Sequence, residues 1–315
     1  NVTKFTDLKI KIFADGADLK SIEALNNQAY IKGFTTNPTL MRKSGITDYK
    51  KFALEVLKIV KNKPISFEVF SDDINEMEQQ ATEIFSWGTN VNVKIPITNT
   101  KGLSTAGLIK KLSSRKVVCN VTAIFTLNQL NEVLKVLALE TPAILSIFAG
   151  RIADLGIDPI NIMSDAVKLA KIRPKSNILW ASTREVLNIF QAEQAGCQII
   201  TVPHDILKKL SNVGKDLKKS SLETVSMFYK DAKASGFTIK TKNKIVKTLN
   251  NLINILHFLK KIILYFFRKF IMLFIILLLP LILILKRFKN FYFIFIPTWR
   301  IGSYLALEPF IRENE

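Results

Sequence analysis

Cysteine is nearly absent: Cys119 and Cys197 are the only two in 315 residues. Two such thiols make neither a disulfide framework nor a metal-binding cluster, and their scarcity suits a reducing cytosol. Both read as small buried hydrophobes. A glycine-rich phosphate loop is lacking too, since the turn after the first apolar run reads Ala14-Asp15-Gly16-Ala17-Asp18 with no G-x-G-x-x-G. The chain starts at Asn1 rather than a methionine, which leaves room for a missing extreme N-terminus. The residues present hold no apolar signal-peptide core. Acidic residues are few against basic ones, 26 to 45, for a formal charge of +19. Residues 241–315 carry 12 Lys/Arg against 3 Asp/Glu, so +9 is crowded onto 75 residues. With 48% hydrophobic residues there is enough apolar material for a sizeable core, but it is densest after residue 240. A basic excess draws nucleic acid or anionic lipid. Here it flanks a long apolar run, and nothing resembles a nucleic-acid module, so lipid is the expected partner.

Residues 8–203 repeat one rhythm, a short apolar run, a turn, then a segment of helical period. The predicted strands are Lys9–Ala14, Gly33–Thr36, Ile65–Phe70, Val91–Ile97, Val117–Phe125, Ala143–Ile147, Asn177–Ala181 and Gln198–Val202. Between them Asp18–Gln28, Tyr49–Val60, Asp73–Ser86, Ser104–Ser113 and Arg184–Ala195 space apolar residues three and four apart, as amphipathic helices do. Strands alternating with helices predict an α/β fold, a (β/α)8 TIM barrel. Periodicity alone does not exclude a doubly wound open sheet, but the missing glycine loop disfavours it.

Residues 204–240 read as helical, ending near Gly236, and 1–240 is the expected barrel domain. From Lys242 the apolar positions Ile245, Leu249, Leu252, Leu256, Leu259 and Ile263 alternate with lysines and asparagines. This predicts a basic amphipathic helix over 241–263. Phe270–Leu285 then runs sixteen residues without a charge, bracketed by Arg268-Lys269 and Lys286-Arg287. Residues 264–289 are the expected membrane-inserted segment. The uncharged run makes about 24 Å of helix, short of a hydrocarbon core of about 30 Å. A full span with snorkelling flanks and a hairpin returning to the same face both fit, the hairpin because Pro280 interrupts the run and both ends are basic. A buried soluble helix is the bland alternative. In the tail, 290–315, the apolar run Phe291–Ile296, the loop Pro297-Thr298-Trp299-Arg300-Ile301-Gly302-Ser303 and a following helical stretch resemble the opening unit of a nucleotide-sugar glycosyltransferase domain.

The informative residues stand at one end of successive strands: Asp15, Asn37, Glu68, Lys94, Asn120, Thr122, Ser146, Phe148 with Arg151, then Ser182 with Arg184. In a barrel those C-terminal strand ends converge on one mouth, where active sites are built. Lys94 is the sharpest of them, an ammonium inside the apolar strand Val91-Asn92-Val93-Lys94-Ile95-Pro96-Ile97. Burial lowers an amine's pKa and leaves a nucleophile able to form an iminium with a ketone. The alternatives are a snorkelling lysine or one paired with Asp15 or Glu68. Taken singly, Asp15 and Asn37 also suit turns or helix caps, Thr122 a strand, Ser182 a cap, Arg151 and Arg184 solvent, and Phe148 a core.

Taken in order, Phe13-Ala14-Asp15, Gly33-Phe34-Thr35-Thr36-Asn37-Pro38, Glu68-Val69, Val93-Lys94-Ile95-Pro96, Asn120-Val121-Thr122, Ser146-Ile147-Phe148-Ala149-Gly150-Arg151, Ala181-Ser182-Thr183-Arg184 and Ala195-Gly196-Cys197 with Thr201-Val202-Pro203 resemble the transaldolase family, in particular its short bacterial branch, over residues 8–238. The resemblance implies that Lys94 forms a Schiff base with a ketose phosphate. By the same resemblance Asp15 takes the C4 hydroxyl proton and returns it to the acceptor, and Glu68 and Thr122 hold the water that shuttles protons. Asn37 and Asn120 would bind the dihydroxyacetone hydroxyls with help from Ser146, and Arg151, Arg184 and Ser182 would grip the distal phosphate. No cofactor or metal is implied. Relatives are often ring-shaped homo-oligomers.

Fructose 6-phosphate aldolases on the same scaffold carry glutamine where Glu68 stands and tyrosine where Phe148 stands, so the resemblance favours transfer over cleavage. Gly16 stands where the family usually has Thr or Ser, Ile147 replaces a usual proline and Ala153 a usual aspartate. These departures leave the acceptor sugar open. The expectation is a transaldolase with a cytoplasmic barrel, tethered to the inner membrane face through residues 241–289, suited to supplying sugar phosphates for surface glycans. The alternatives are an aldolase releasing free dihydroxyacetone and an inactive membrane-docked scaffold.

Overall fold

β-Branched and aromatic residues pack well on a pleated surface, and the eight runs rich in them form β1 (Lys11–Asp15), β2 (Ile31–Thr35), β3 (Ile65–Glu68), β4 (Val91–Pro96), β5 (Cys119–Ile124), β6 (Ala143–Ile147), β7 (Ser176–Trp180) and β8 (Ile199–Pro203). The computed structural model describes residues 7–239 and 242–285. Each strand lies parallel to the next in sequence, and β1 also pairs with β8, Asp15 opposite Pro203, so the sheet closes. Closure decides between the two architectures the periodicity allowed. The fold is a TIM barrel, not an open doubly wound sheet.

Parallel neighbours need a crossover. It is supplied by α1 (Leu19–Asn26), α2 (Pro38–Lys43) with α3 (Tyr49–Ile59), α4 (Ile74–Phe85), α5 (Ala106–Ser114), α6 (Leu127–Val136), α7 (Ala149–Asp154) with α8 (Pro159–Ala170), and α9 (Leu187–Gln194). The side chains of Asp18, Asn37, Asp48, Asp73, Thr126 and Asp158 each accept a first-turn backbone N–H, which fixes where those helices begin. The five helices predicted by name appear with ends displaced by at most three residues.

Side chains alternate across each strand, and the barrel has an apolar filling on both sides of the sheet. Outward residues such as Ile12, Val93, Val121 and Ile200 join the large cluster under the helices. Phe13, Ile144, Leu179, Ala181 and Ile199 form a separate cluster inside the barrel. Gly33 makes room for it: a Cβ there would stand 2.6 Å from Cζ of the Phe13 ring. Cys119 and Cys197 are buried, as expected, and burial pushes both thiols up to about 12.

After β8 come α10 (His204–Leu207), a 3₁₀ turn at Lys208–Asn212 and α11 (Leu217–Ala234). The predicted helical stretch 204–240 is therefore interrupted, and Gly236 ends it with φ +68°. Contacts divide the chain into two units inside α11, between Glu223 and Thr224. α12 (Lys242–Leu285) covers the amphipathic segment and most of the apolar one as a single 44-residue helix, with Pro280 inside it. Its Val246–Leu281 stretch is long and apolar enough to cross a membrane, mean hydropathy reaching 2.5 in an 18-residue window, and none of that window is buried. The remainder of the expected inserted segment, 286–289, and the glycosyltransferase-like tail, 290–315, lie outside the described residues.

Gly33→Ala is expected to cost about 1–3 kcal/mol by overpacking against Phe13. Phe13→Leu in the same chain should recover most of that loss in a urea titration. An unchanged midpoint for the single variant would show that the ring yields freely.

Candidate active site

Register builds the site. Glu68 stands opposite Lys94 and Lys94 opposite Asn120, so one layer of three neighbouring strands turns polar above the apolar cluster. Asp15 stands opposite Thr35 on one side and Pro203 on the other, and one step nearer the mouth than Asn120, Thr122 stands opposite Pro96. Side chains of both levels line a cavity of about 460 Å³, among them Asp15, Asn37, Glu68, Lys94, Thr122, Ser146, Phe148, Arg151 and Ser182.

Lys94 is 7% exposed. Its Nζ lies 3.1 Å from Glu68 Oε2 and donates to the Thr36 carbonyl at 3.2 Å. Of the alternatives open for this lysine, pairing with Glu68 is realised and snorkelling is not. An unpaired buried ammonium is among the most expensive groups a fold can hold. The carboxylate across the ladder is what makes the position tenable.

Asp15 keeps an edge open to the cavity but is ringed by protein. Thr35 Oγ1 donates to its Oδ1 at 2.8 Å, and the Thr35 and Thr201 hydroxyls touch each other. Burial raises the Asp15 carboxyl above the usual carboxylate range. The Lys94 charge and the Thr35 hydrogen bond pull it back, Glu68 pushes it up, and the net shift is upward. A carboxyl so placed can both take and return a proton.

Asn120 is fully buried beneath the cavity, its amide donating to Ser66 Oγ at 2.9 Å and accepting from Ser146 Oγ at 2.6 Å. The cavity lining does not include it, although Ser146, which it holds, is there. Asn37 is both lining residue and helix cap, since its Oδ1 accepts from Leu40 N–H at 2.9 Å. Among the described residues Thr122 Oγ1 is buried without a hydrogen-bond partner. A buried hydroxyl left unpaired in a cavity wall has a hydrogen bond free to offer a molecule in the cavity.

On the far rim Arg151 lies over the Phe148 ring, Cζ to centroid 5.4 Å, while Phe148 leans on Phe125 at 5.9 Å. Arg184 is not in the main cavity. It pairs with Asp154 through Nη2 and through Nε at 3.2 Å, and shares a neighbouring depression with Phe125, Arg151, Asp154 and Leu155. Ala123 and Ser182, both in the cavity wall, hold the left-handed backbone at φ +59° and +63°. Non-glycine residues are rarely held there, and such strain clusters at functional sites.

Thr35, Thr201 and Ser66 were missed in the sequence, because threonine and serine are ordinary strand residues and their polar contacts run between distant strands. The departure at Gly16 finds a reason in the structure. A Cβ at Gly16 would lie 2.6 Å from the His204 imidazole. That ring occupies the space a larger residue would need, with burial lowering its pKa and its Nε2 buried without a partner among the described residues. Among the described residues no group of three or more His, Cys, Asp or Glu is placed to hold a metal ion.

The family model described as Transaldolase/Fructose-6-phosphate aldolase matches residues 12–254. A "Probable transaldolase" of Dehalococcoides mccartyi is 36% identical over 202 residues, covering 64% of this chain and 90% of that protein. Another, from Nitrosopumilus maritimus, is 35% identical over 234 residues, covering 73% of this chain and 100% of that protein. The family match stops at residue 254, before the uncharged stretch of α12.

The upward shift at Asp15 carries a prediction about stability. A carboxyl whose folded pKa is raised stabilises the fold below its unfolded pKa, and that contribution is lost as pH rises through the folded value. Asp15→Asn is therefore expected to raise the unfolding midpoint at pH 7 and to give no gain near pH 3. Calorimetric scans of both proteins across that range check the sign, and a loss of stability at pH 7 would contradict it.

Proposed function

The chain belongs to the transaldolase/fructose-6-phosphate aldolase family, a transferase barrel acting on sugar phosphates, and from that premise we propose that it moves a dihydroxyacetone unit from a ketose phosphate to an aldose acceptor through an imine on Lys94. The observation that carries this reading is the buried Lys94–Glu68 pair at the floor of the cavity, with Asp15, its carboxyl raised above the usual range by burial, in the same wall.

Attack on the C2 ketone needs a neutral amine, and Glu68, 3.1 Å away, is the base in reach of the Lys94 proton. Loss of water from the carbinolamine leaves an iminium, and the Thr122 hydroxyl, unpaired in the wall, suits the water that carries those protons. Asp15 then takes the C4 hydroxyl proton. The C3–C4 bonding pair moves into the iminium to give an enamine, and the shortened aldose leaves. In the second half the enamine attacks an aldehyde acceptor, the proton on Asp15 passes to the new hydroxyl, and water releases the product and the amine.

Asn37 and Ser146 face the three-carbon unit, with Asn120 holding Ser146 from below. Arg151, Ser182 and Arg184 form the rim that would take the distal phosphate, arginine because its fork meets phosphate oxygens two at a time. Arg184 must first loosen from Asp154. Phe148 brings no hydroxyl to the bound enamine, so nothing at that position helps protonate and release it. That supports transfer over cleavage.

The barrel domain is read as 1–240 and cytoplasmic, with α12 as its attachment to the inner face of the membrane. The uncharged Phe270–Leu285 stretch would enter the hydrocarbon, and Lys260, Lys261, Arg268 and Lys269 would remain at the surface, each basic group near anionic lipid worth about 1 kcal/mol. Its support is the length and apolarity of one unburied helix.

Incubation with fructose 6-phosphate and borohydride should leave a three-carbon adduct on Lys94, located by peptide mass spectrometry, and Lys94→Ala should abolish it and turnover together. A folded protein with no adduct, offered several ketose phosphates, would overturn the enzyme reading in favour of a scaffold. Phe148→Tyr should raise free dihydroxyacetone relative to transferred product by about ten-fold, and an unchanged ratio would remove this side chain from the choice of reaction. Activity recovered wholly from the soluble fraction after cell breakage would count against the membrane attachment.

A further inference from the structure

In an extended strand the N–H and C=O of one residue point to the same side. On β3, Ser66 and Glu68 point their backbone groups toward β2, while Val69 turns to β4, its N–H donating to the Lys94 carbonyl at 3.0 Å. The β2–β3 ladder holds the register pairs Phe34–Ile65 and Thr35–Ser66. It closes at Thr36, whose N–H and hydroxyl both reach the Ser66 carbonyl, at 3.2 and 2.9 Å. The chain then leaves at Asn37 to start α2, so β2 offers nothing to Glu68. Two backbone groups of the residue that faces Lys94 would be left without a strand partner, and a buried backbone group left unpaired is costly.

Tyr49, the first residue of α3, fills that gap. Its hydroxyl accepts from the Glu68 N–H at 2.8 Å and donates to the Glu68 carbonyl at 2.7 Å. Burial pushes the phenol up from its ordinary value, so the hydroxyl stays neutral and does both jobs at once. The ring is held by Trp87, Phe70 and Phe67, at centroid distances of 5.7, 5.5 and 6.4 Å.

We propose that Tyr49 is a positioning residue for the reaction: its hydroxyl stands in for the missing neighbour strand and fixes Glu68 against Lys94. The inference rests on the reading that Lys94 forms the imine and Glu68 moves its protons. Tyr49 touches neither substrate nor amine. It acts only by setting where the Glu68 carboxylate starts from.

The test uses the full chain with Tyr49→Phe, which keeps the ring and removes the hydroxyl. Phe52→Leu, a buried packing change on the same helix, serves as the comparison. For each, the rate of borohydride-trapped adduct on Lys94 is measured against fructose 6-phosphate concentration, together with the unfolding temperature. Tyr49→Phe should lower the maximal trapping rate by about ten-fold, part of the roughly 10²–10⁴ that a positioned proton-transfer group supplies, with the half-saturating concentration unchanged. Phe52→Leu should lose stability and keep its maximal rate within about two-fold. A wild-type maximal rate in Tyr49→Phe, or rate losses that track stability in both variants, would overturn the proposal. Trapping at Lys94 in the wild type with no change in Tyr49→Phe leaves the Schiff-base reading standing and removes only the positioning role. A wild type that gives no adduct on Lys94 overturns both.

Discussion

A lysine can sit inside a barrel with 7% of its surface exposed only if a counter-charge meets it there, and Glu68 does so at 3.1 Å. The pair arises from ladder register, Glu68 directly opposite Lys94. A slip of one residue on either strand would turn one partner out to the helices. The arrangement of the barrel can be understood from this requirement. Below the pair lies the apolar cluster of Phe13, Ile144, Leu179 and Ile199, which withholds water from the charges. Above it lies a cavity open enough to admit a small substrate. The low-dielectric floor strengthens the attraction that holds the pair and also raises the Asp15 carboxyl above the usual carboxylate range.

The polar layer divides into groups that are tied down and groups that are left free. Asn120 is bound from both ends by Ser66 and Ser146, and Asp15 is steadied by Thr35, itself against Thr201. These contacts join strands β1, β2, β3, β5, β6 and β8 across the interior and set side-chain positions before any ligand arrives. The free groups face the cavity. Thr122 keeps an unpaired hydroxyl, and Ala123 and Ser182 hold left-handed backbone. Such features subtract from stability, and their concentration in one wall marks where the fold gives up stability for preorganised chemistry.

α12 obeys different rules. The barrel's apolar side chains are covered by its own helices, whereas the most apolar window of α12 is unburied within the described chain. Forty-four residues at about 1.5 Å each make roughly 66 Å of helix, twice a hydrocarbon core of about 30 Å. The uncharged stretch Phe270–Leu285 is the portion of suitable chemistry, and Pro280 is carried inside the helix rather than ending it.

Much of this molecule was legible in the order of its residues. Short apolar runs and period-3.6 patterns are local, so all eight strands and the named helices were placed to within a few residues, and the strand-end positions of Asp15, Glu68, Lys94 and Thr122 followed from those runs. Lys94 stood out because an ammonium in an apolar run has few explanations. The glycine at 16 could be noticed as a departure but not explained, since the imidazole that fills its space lies 188 positions along the chain. Closure of the sheet, the Glu68–Lys94 pairing, the Thr35 and Thr201 contacts on Asp15, the withdrawal of Asn120 beneath the cavity and the diversion of Arg184 to Asp154 were settled only in three dimensions. The sequence by itself determined which elements form and which faces they bury, because those depend on neighbours a few residues away. The tertiary structure decided which polar groups meet, because hydrogen bonds and ion pairs between strands depend on register and on closing the barrel.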